Sequence, residues 1–115
     1  MYAAKFTPDA AKDIRRLPRN TRNALRKQFR NVILKDPVGC SEELGGPLTG
    51  FRSFHFRRYR VICRVFRELS TVAVVGVGEK DERHKAVIYK ELEKLVETGK
   101  LADAVLTTMR LVSGP

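Results

Sequence analysis

The sequence predicts an α+β fold of order β-α-α-β-β-β-α(-α), with a helical hairpin packed on one face of a small, mainly antiparallel sheet. Three observations predict it. Apolar residues recur at helical spacing as far as Ile33; the period falls to two after a glycine-rich loop at 38–50; helical spacing then returns beyond Gly78. Helices and strands come in separate runs instead of alternating, which favours α+β over α/β. The length of 115 residues fits one domain, 1–115, with a C-terminal helical extension over about 100–112.

The elements follow in order. Residues 2–6 read as a first strand. Thr7 can cap a helix, Pro8 suits its first position, and Asp9 complements the positive end of its dipole. Ala11, Ile14 and Leu17 recur on one face, and Leu17–Pro18 ends the helix because the residue before proline avoids the α region. Asn20 or Thr21 is the expected cap of a second helix with the stripe Leu25, Phe29, Val32 and Ile33, closed by Asp36–Pro37. The short join between them predicts an antiparallel hairpin.

Beyond the loop, Phe54 and Phe56 share one face of a strand, and Ser53 and His55 the other. Arg57–Arg58 reads as a tight connection. Tyr59, Val61, Cys63 and Val65 then alternate with Arg60, Ile62, Arg64 and Phe66. After a turn at 67–70, residues 71–78 are apolar on both faces, which predicts a central strand. A helix from about Glu82 carries Ile88, Leu92, Leu95 and Val96. Thr98–Gly99 stops it, and Leu101, Val105, Met109 and Val112 mark the last helix. The sheet face bearing Ser53, His55, Arg60 and Arg64 is expected to stay partly open.

Charge narrows the classes of partner. Lys+Arg number 23 against 13 Asp+Glu, a net charge of +10. Such a field favours nucleic acid, anionic lipid or an acidic protein. No acid lies between Asp13 and Asp36, nor from Gly45 to Arg67, and arginine dominates both stretches. Its planar fork suits bidentate phosphate contacts. Cys40 and Cys63 are far apart, so neither a disulfide framework nor a metal site is expected, and a reducing compartment fits. Residues 1–7 lack the apolar core of a secretory leader, and no apolar run approaches the ~20 residues of a membrane span. The expectation is a cytoplasmic protein with no membrane partner.

Several stretches together resemble the RelE/ParE superfamily of type II toxin–antitoxin toxins. They are FTPDAAKDIRRLP at 6–18, DPVGCSEELGGPLTGF at 36–51, FHFRRYRVICRV at 54–65, and VAVVGVG at 72–78, followed by a basic stretch and Val87–Ile88–Tyr89. The resemblance covers about residues 1–95, and its most specific piece is Tyr59–Arg60–Val61. It implies one of two activities. RelE-like members cleave messenger RNA at the ribosome and so inhibit translation; ParE-like members inhibit DNA gyrase without being enzymes. Both are held inactive by a cognate antitoxin protein. An inactive, toxin-like binding module is a third reading.

RNA cleavage by 2′-OH attack needs a base, cations for the phosphorane charge and an acid for the leaving oxygen, and it requires no metal or other cofactor. The resemblance makes Arg60 the phosphate clamp. His55, expected on the same face, is the acid/base candidate. Lys80 matches the family's basic residue by distance from Gly78, and Arg83 matches it by distance from Tyr89. Tyr89 would stack on a base or orient the 2′-OH. Arg57, Arg58, Arg64, His84 and Lys85 are candidate RNA contacts. Each also has a plainer reading, as a solvated charge or, for Tyr89, as a core aromatic beside Ile88 and Leu92. Ser53 stands where some members carry a second basic residue.

Overall fold

A computed structural model describes residues 1–79 and 87–112 of the chain. The first strand, β1 (Ala3–Phe6), leads directly into α1 (Pro8–Arg16). Thr7 caps that helix as expected: its Oγ1 accepts from the Ala10 N–H at 3.2 Å, and the Thr7 backbone is extended. The second helix, α2 (Arg19–Gln28), begins earlier than the sequence predicts. Leu17 and Pro18 are both extended, so the chain re-enters the α region at Arg19, with Pro18 in the cap position and no side-chain cap. Asn20 and Thr21 fall inside the first turn. The helix ends in a wide π turn at Phe29–Ile33, closed by the Leu34 N–H donating to the Phe29 carbonyl at 2.8 Å. That widened turn keeps Phe29 and Ile33 buried and leaves Val32 exposed, against the expected stripe.

Five strands form one sheet in the order β1-β5-β4-β3-β2. Strand β2 (Glu42–Glu43) is a two-residue edge inside the expected loop; β3 (Arg52–Phe56), β4 (Tyr59–Phe66) and β5 (Thr71–Glu79) form the expected meander. All pairs are antiparallel except β1 with β5, where Ala3 lies opposite Thr71 and Phe6 opposite Val74. The expected central strand is thus β5. Arg52 fixes the loop to the sheet. Its Nε donates to Ser41 Oγ at 2.6 Å, and its Nη2 donates to the carbonyls of Val38 and Ser41, both at 3.1 Å.

Strand β5 outlasts β1. Beyond Val74 its edge is completed by side chains of the first helix and its cap. Thr7 Oγ1 donates to the Val75 carbonyl at 3.5 Å, and the Asp13 carboxylate accepts from the Val77 N–H at 3.0 Å. Buried backbone groups need partners, and these two residues provide them where the strand ladder stops.

The hairpin α1–α2 covers one sheet face. Ala10, Leu25, Phe29 and Ile33 bury Phe54, Phe56, Tyr59, Val61, Cys63, Val72, Val74 and Val77. The opposite face is covered by α3 (Val87–Glu97) and α4 (Lys100–Val112), whose Ile88, Leu92, Leu101 and Val105 pack on Ile62, Val75, Leu48 and Phe51. A bulge shifts the β4–β5 register between Ile62 and Cys63, so Ile62 faces Gly76 and Cys63 faces Val74. Val75 and Gly76 both serve the α3 side. A Cβ on Gly78 would lie 2.9 Å from the Ile88 Cβ, so glycine is what lets α3 lie this close to the sheet. No helix among the described residues is long and apolar enough to cross a membrane.

Candidate functional site

The strand register brings two of the candidate residues together. His55 on β3 lies directly opposite Arg60 on β4, and Arg60 lies opposite Gly78 on β5. These three form one row across the sheet on the α3 side, with side chains of paired residues about 5 Å apart at Cβ. The next row is Ser53, Ile62 and Gly76. Phe54, Phe56, Tyr59 and Val61 turn into the hairpin core, so the strict alternation of period two places Ser53, His55 and Arg60 on the opposite face, the side of α3.

His55 is half exposed, with its Nε2 3.8 Å from Glu42 Oε2. Glu42 comes from β2, a strand the sequence does not announce, because two residues are too few for a period. Arg60 is partly buried. Its Nη1 donates to the Tyr59 carbonyl at 2.9 Å, and its Nε is buried with no hydrogen-bond partner among the described residues. The guanidinium is thus held at one nitrogen while a buried N–H is left for another acceptor. An anionic oxygen is the acceptor that would suit it best.

Tyr89 reaches the same area from α3. Its hydroxyl lies 2.9 Å from Ser53 Oγ, and its ring packs against the second core. The ring of Tyr89 is packed beside Ile88 and Leu92, as the plainer reading has it, and its hydroxyl reaches the polar face. Ser53 is 2% exposed, so the expectation of an open face fails there; α3 and Tyr89 cover it. Ser53 sits two residues from His55 on one strand, roughly 7 Å along the sheet.

The other candidates disperse. Arg57 and Arg58 occupy the tight β3–β4 connection, and Arg57 takes a φ of 55°. Its guanidinium lies 5.1 Å from the Phe56 ring centroid. Arg58 pairs with Glu79 at 3.3 Å and lies over Tyr59, so its charge is already partnered at an exposed site. Arg64 shares the face of Arg60 but sits two rows away, on the far side of Ile62, which is fully buried beneath the second core. It is flanked by Phe51 and Phe66, with ring centroids at 5.8 and 5.4 Å, and it borders a groove lined by α4. Arg64 is therefore separate from the His55–Arg60 row. Lys80, Arg83, His84 and Lys85 lie outside the described residues.

A cleft of about 490 Å³ opens beside Gly78, bounded by Asp13, Arg16, Arg58, Tyr59, Glu79 and Glu91 among others. Burial raises the Asp13 carboxyl above its ordinary range, against the Val77 N–H and Arg16, which lower it. Burial likewise pushes the Cys63 thiol far up, which keeps it an inert core thiol.

Residues 4–84 match the family described as the ParE toxin of the type II toxin–antitoxin system parDE. Among solved structures, the RelBE2 toxin–antitoxin complex from Mycobacterium tuberculosis is similar over 69% of this chain and 98% of that one, with 25% identity and a TM-score of 0.65. The isolated RelE toxin of Escherichia coli is similar over 84% of this chain and 99% of its own, with 25% identity and a TM-score of 0.59. A YoeB/ParE toxin from Agrobacterium tumefaciens, 19% identical with a TM-score of 0.56, shares the fold over 69% of this chain and 99% of its own. No curated protein matches the chain.

Proposed function

Because the chain belongs to the ParE toxin family of type II toxin–antitoxin systems, within the RelE/ParE superfamily, we propose that it acts as a messenger RNA endoribonuclease at the ribosome. The observation that carries this reading is the row of His55 opposite Arg60, with a buried Arg60 Nε that has no hydrogen-bond partner among the described residues and the Tyr89 hydroxyl close by. In this reading Arg60 clamps the scissile phosphate and stabilises the charge of the phosphorane. His55 exchanges a proton with the 2′-OH or the leaving 5′-oxygen. Tyr89 orients the ribose or stacks on a base. One of Lys80 and Arg83 supplies a second phosphate contact. Attack of the 2′-oxygen on phosphorus breaks the bond to the 5′-oxygen and leaves a 2′,3′-cyclic phosphate; no metal enters this scheme.

A cognate antitoxin is the proposed protein partner, in keeping with the relatives solved as toxin–antitoxin complexes. The cytoplasm, where ribosomes and messenger RNA lie, is the proposed compartment.

The second reading is inhibition of DNA gyrase without catalysis. Two observations favour it: the matching family is that of ParE toxins, and the position open to a second basic residue is a buried serine. A translation reaction with ribosomes, run beside a gyrase supercoiling assay, separates the two. Messenger cut at discrete sites with supercoiling intact supports the ribonuclease. Supercoiling blocked with messenger intact overturns it in favour of the gyrase reading, and neither effect supports an inactive binding module.

A further inference from the structure

Ser53 takes no part in the proposed cleavage, yet it is a buried polar side chain beside the site. It belongs to the row Ser53–Ile62–Gly76, next to His55–Arg60–Gly78, and is 2% exposed. Its surroundings are apolar: Ile62, opposite it on β4, is fully buried, and Ile88 of α3 lies close to Gly76. A hydroxyl in such a place costs stability unless it is hydrogen-bonded. The Tyr89 hydroxyl, 2.9 Å away, is its one partner among the described residues.

The two hydroxyls are not equivalent. Each carries one proton and can donate once. Ser53 is sealed under α3, so the acceptor its proton meets among the described residues is the Tyr89 oxygen. If Tyr89 donated instead, the Ser53 proton would be buried without an acceptor, which costs the full desolvation of that group. Tyr89 is half-buried, and its proton can turn to the open side without such a cost. The favoured arrangement is therefore Ser53 Oγ–H donating to Tyr89 Oη, with the Tyr89 O–H directed away from Ser53. Accepting one hydrogen bond also strengthens the one that a hydroxyl donates.

We infer that Ser53 is a positioning residue for the His55–Arg60 site: it makes Tyr89 a hydrogen-bond donor toward an oxygen of the RNA backbone. Ser53 and His55 are two residues apart on β3, roughly 7 Å, so the Tyr89 hydroxyl stands one row from the phosphate clamp, beside the next sugar or phosphate of a bound strand. The inference rests on the proposal that this row receives RNA, and of the two parts proposed for Tyr89 it selects the orienting one. It also says what serves in place of a second cation here: a neutral donor held by a buried one. A charged side chain at 53 would have to lie in the apolar contact between the sheet and α3.

The test is a titration of the isotope-labelled full chain with a short single-stranded RNA, without ribosomes, followed by the Tyr89 ring and Arg60 resonances. The parent should bind and shift both. Tyr89→Phe and Ser53→Ala should each weaken binding about three- to tenfold, the range of one hydrogen bond. The double variant should bind no more weakly than Tyr89→Phe, since Ser53 acts through Tyr89. Ser53→Thr keeps the hydroxyl and should bind within about twofold of the parent. Ile62→Val loosens the same row, touches neither hydroxyl, and should bind as the parent does. In the RNA-free chain the Ser53 hydroxyl proton should exchange slowly with solvent and the Tyr89 hydroxyl proton fast. The reverse order overturns the inference even if Ser53→Ala does not fold. So does any of these: no RNA binding by the parent, undiminished binding by Ser53→Ala, equal losses in Ser53→Ala and Ile62→Val, or additive losses in the double variant. A parent that binds with the expected dependence yet cuts no messenger on the ribosome overturns the ribonuclease reading and leaves the inference standing. A parent that cuts, with Ser53→Ala binding and cutting equally well, does the opposite.

Discussion

The hydroxyl of Tyr89 on α3 lies 2.9 Å from Ser53 Oγ on β3, and this hydrogen bond ties the helix to the face that carries His55. Because Ser53 is buried, removing either partner leaves a polar atom unsatisfied. Ser53→Ala should cost about 1–3 kcal/mol in stability on that ground, and Tyr89→Phe a similar amount. Denaturant unfolding measures both. The double variant should cost less than the sum, because each single change orphans the same contact; strict additivity would mean that the bond contributes nothing.

Under the proposed ribonuclease reading, Arg60→Ala should lower messenger cleavage at least about tenfold, the scale of losing one contact to a developing charge. Arg60→Lys should recover only part, since a lysine cannot present the fork of N–H donors. Single-turnover cleavage with saturating ribosomes reads both. Arg64→Ala, two rows away behind Ile62, should leave that rate within about twofold if the row alone contacts the phosphate.

Gly78→Ala should destabilise the protein by about 1–3 kcal/mol, because the new methyl meets the Ile88 Cβ and α3 must move. Gly76→Ala should cost less: the nearest atom there is the Ile88 Cδ1, the far end of a side chain that can turn. Thermal unfolding of the two variants tests the order. Since α3 carries Tyr89, Gly78→Ala should also loosen the contact with Ser53.

Asp13 gives a pH dependence with a definite sign. Its carboxyl is raised in the folded state, mainly by burial, from an ordinary value of 3.8. The native state then holds a proton that the unfolded chain has lost, so this group's contribution to stability falls as pH rises from about 4 through the raised value. An asparagine keeps an oxygen for the Val77 N–H and has nothing to titrate. Asp13→Asn should flatten the stability profile above pH ~4 and be at least as stable as the parent at neutral pH. Asp13→Ala should be the worse variant, since it strands the Val77 N–H.

Arg57 holds a φ of 55° in the two-residue link between β3 and β4. Arg57→Gly should stay within about 1 kcal/mol of the parent, the relief of left-handed strain offsetting the flexibility of glycine. Arg57→Val should cost more than about 1 kcal/mol, since a β-branched residue tolerates that region poorly. Equal stability of the two would show that the turn relaxes freely.

Much of the architecture is legible in the residues because it rests on local rules. Thr7–Pro8–Asp9 starts a helix through capping chemistry, and the alternation from Ser53 to Phe66 sets two faces without any knowledge of partners. Long-range pairing is less legible. Nothing local in residues 3–6 says that they lie parallel to 71–74, and a two-residue strand at Glu42–Glu43 leaves no periodic trace. The bulge beside Val75 and the π turn after Gln28 shift register by tertiary packing, which a repeat of 2 or 3.6 cannot encode. In the candidate site, His55 and Arg60 were predictable neighbours by alternation. Burial of Ser53 under Tyr89 was not, because it depends on how closely α3 approaches two glycines.

The unequal lengths of β1 and β5 bear on stoichiometry. One margin of the sheet ends in a two-residue strand of two glutamates, too short and too acidic to recruit a neighbour. The overhang of β5 is already taken, its Val77 amide closed off by a carboxylate from α1. Among the described residues, the run at Ala4–Phe6 on β1 is then the longer of the two sheet edges. Among the described residues the sheet thus offers no matched pair of long edges from which copies of this protein could propagate a polymer.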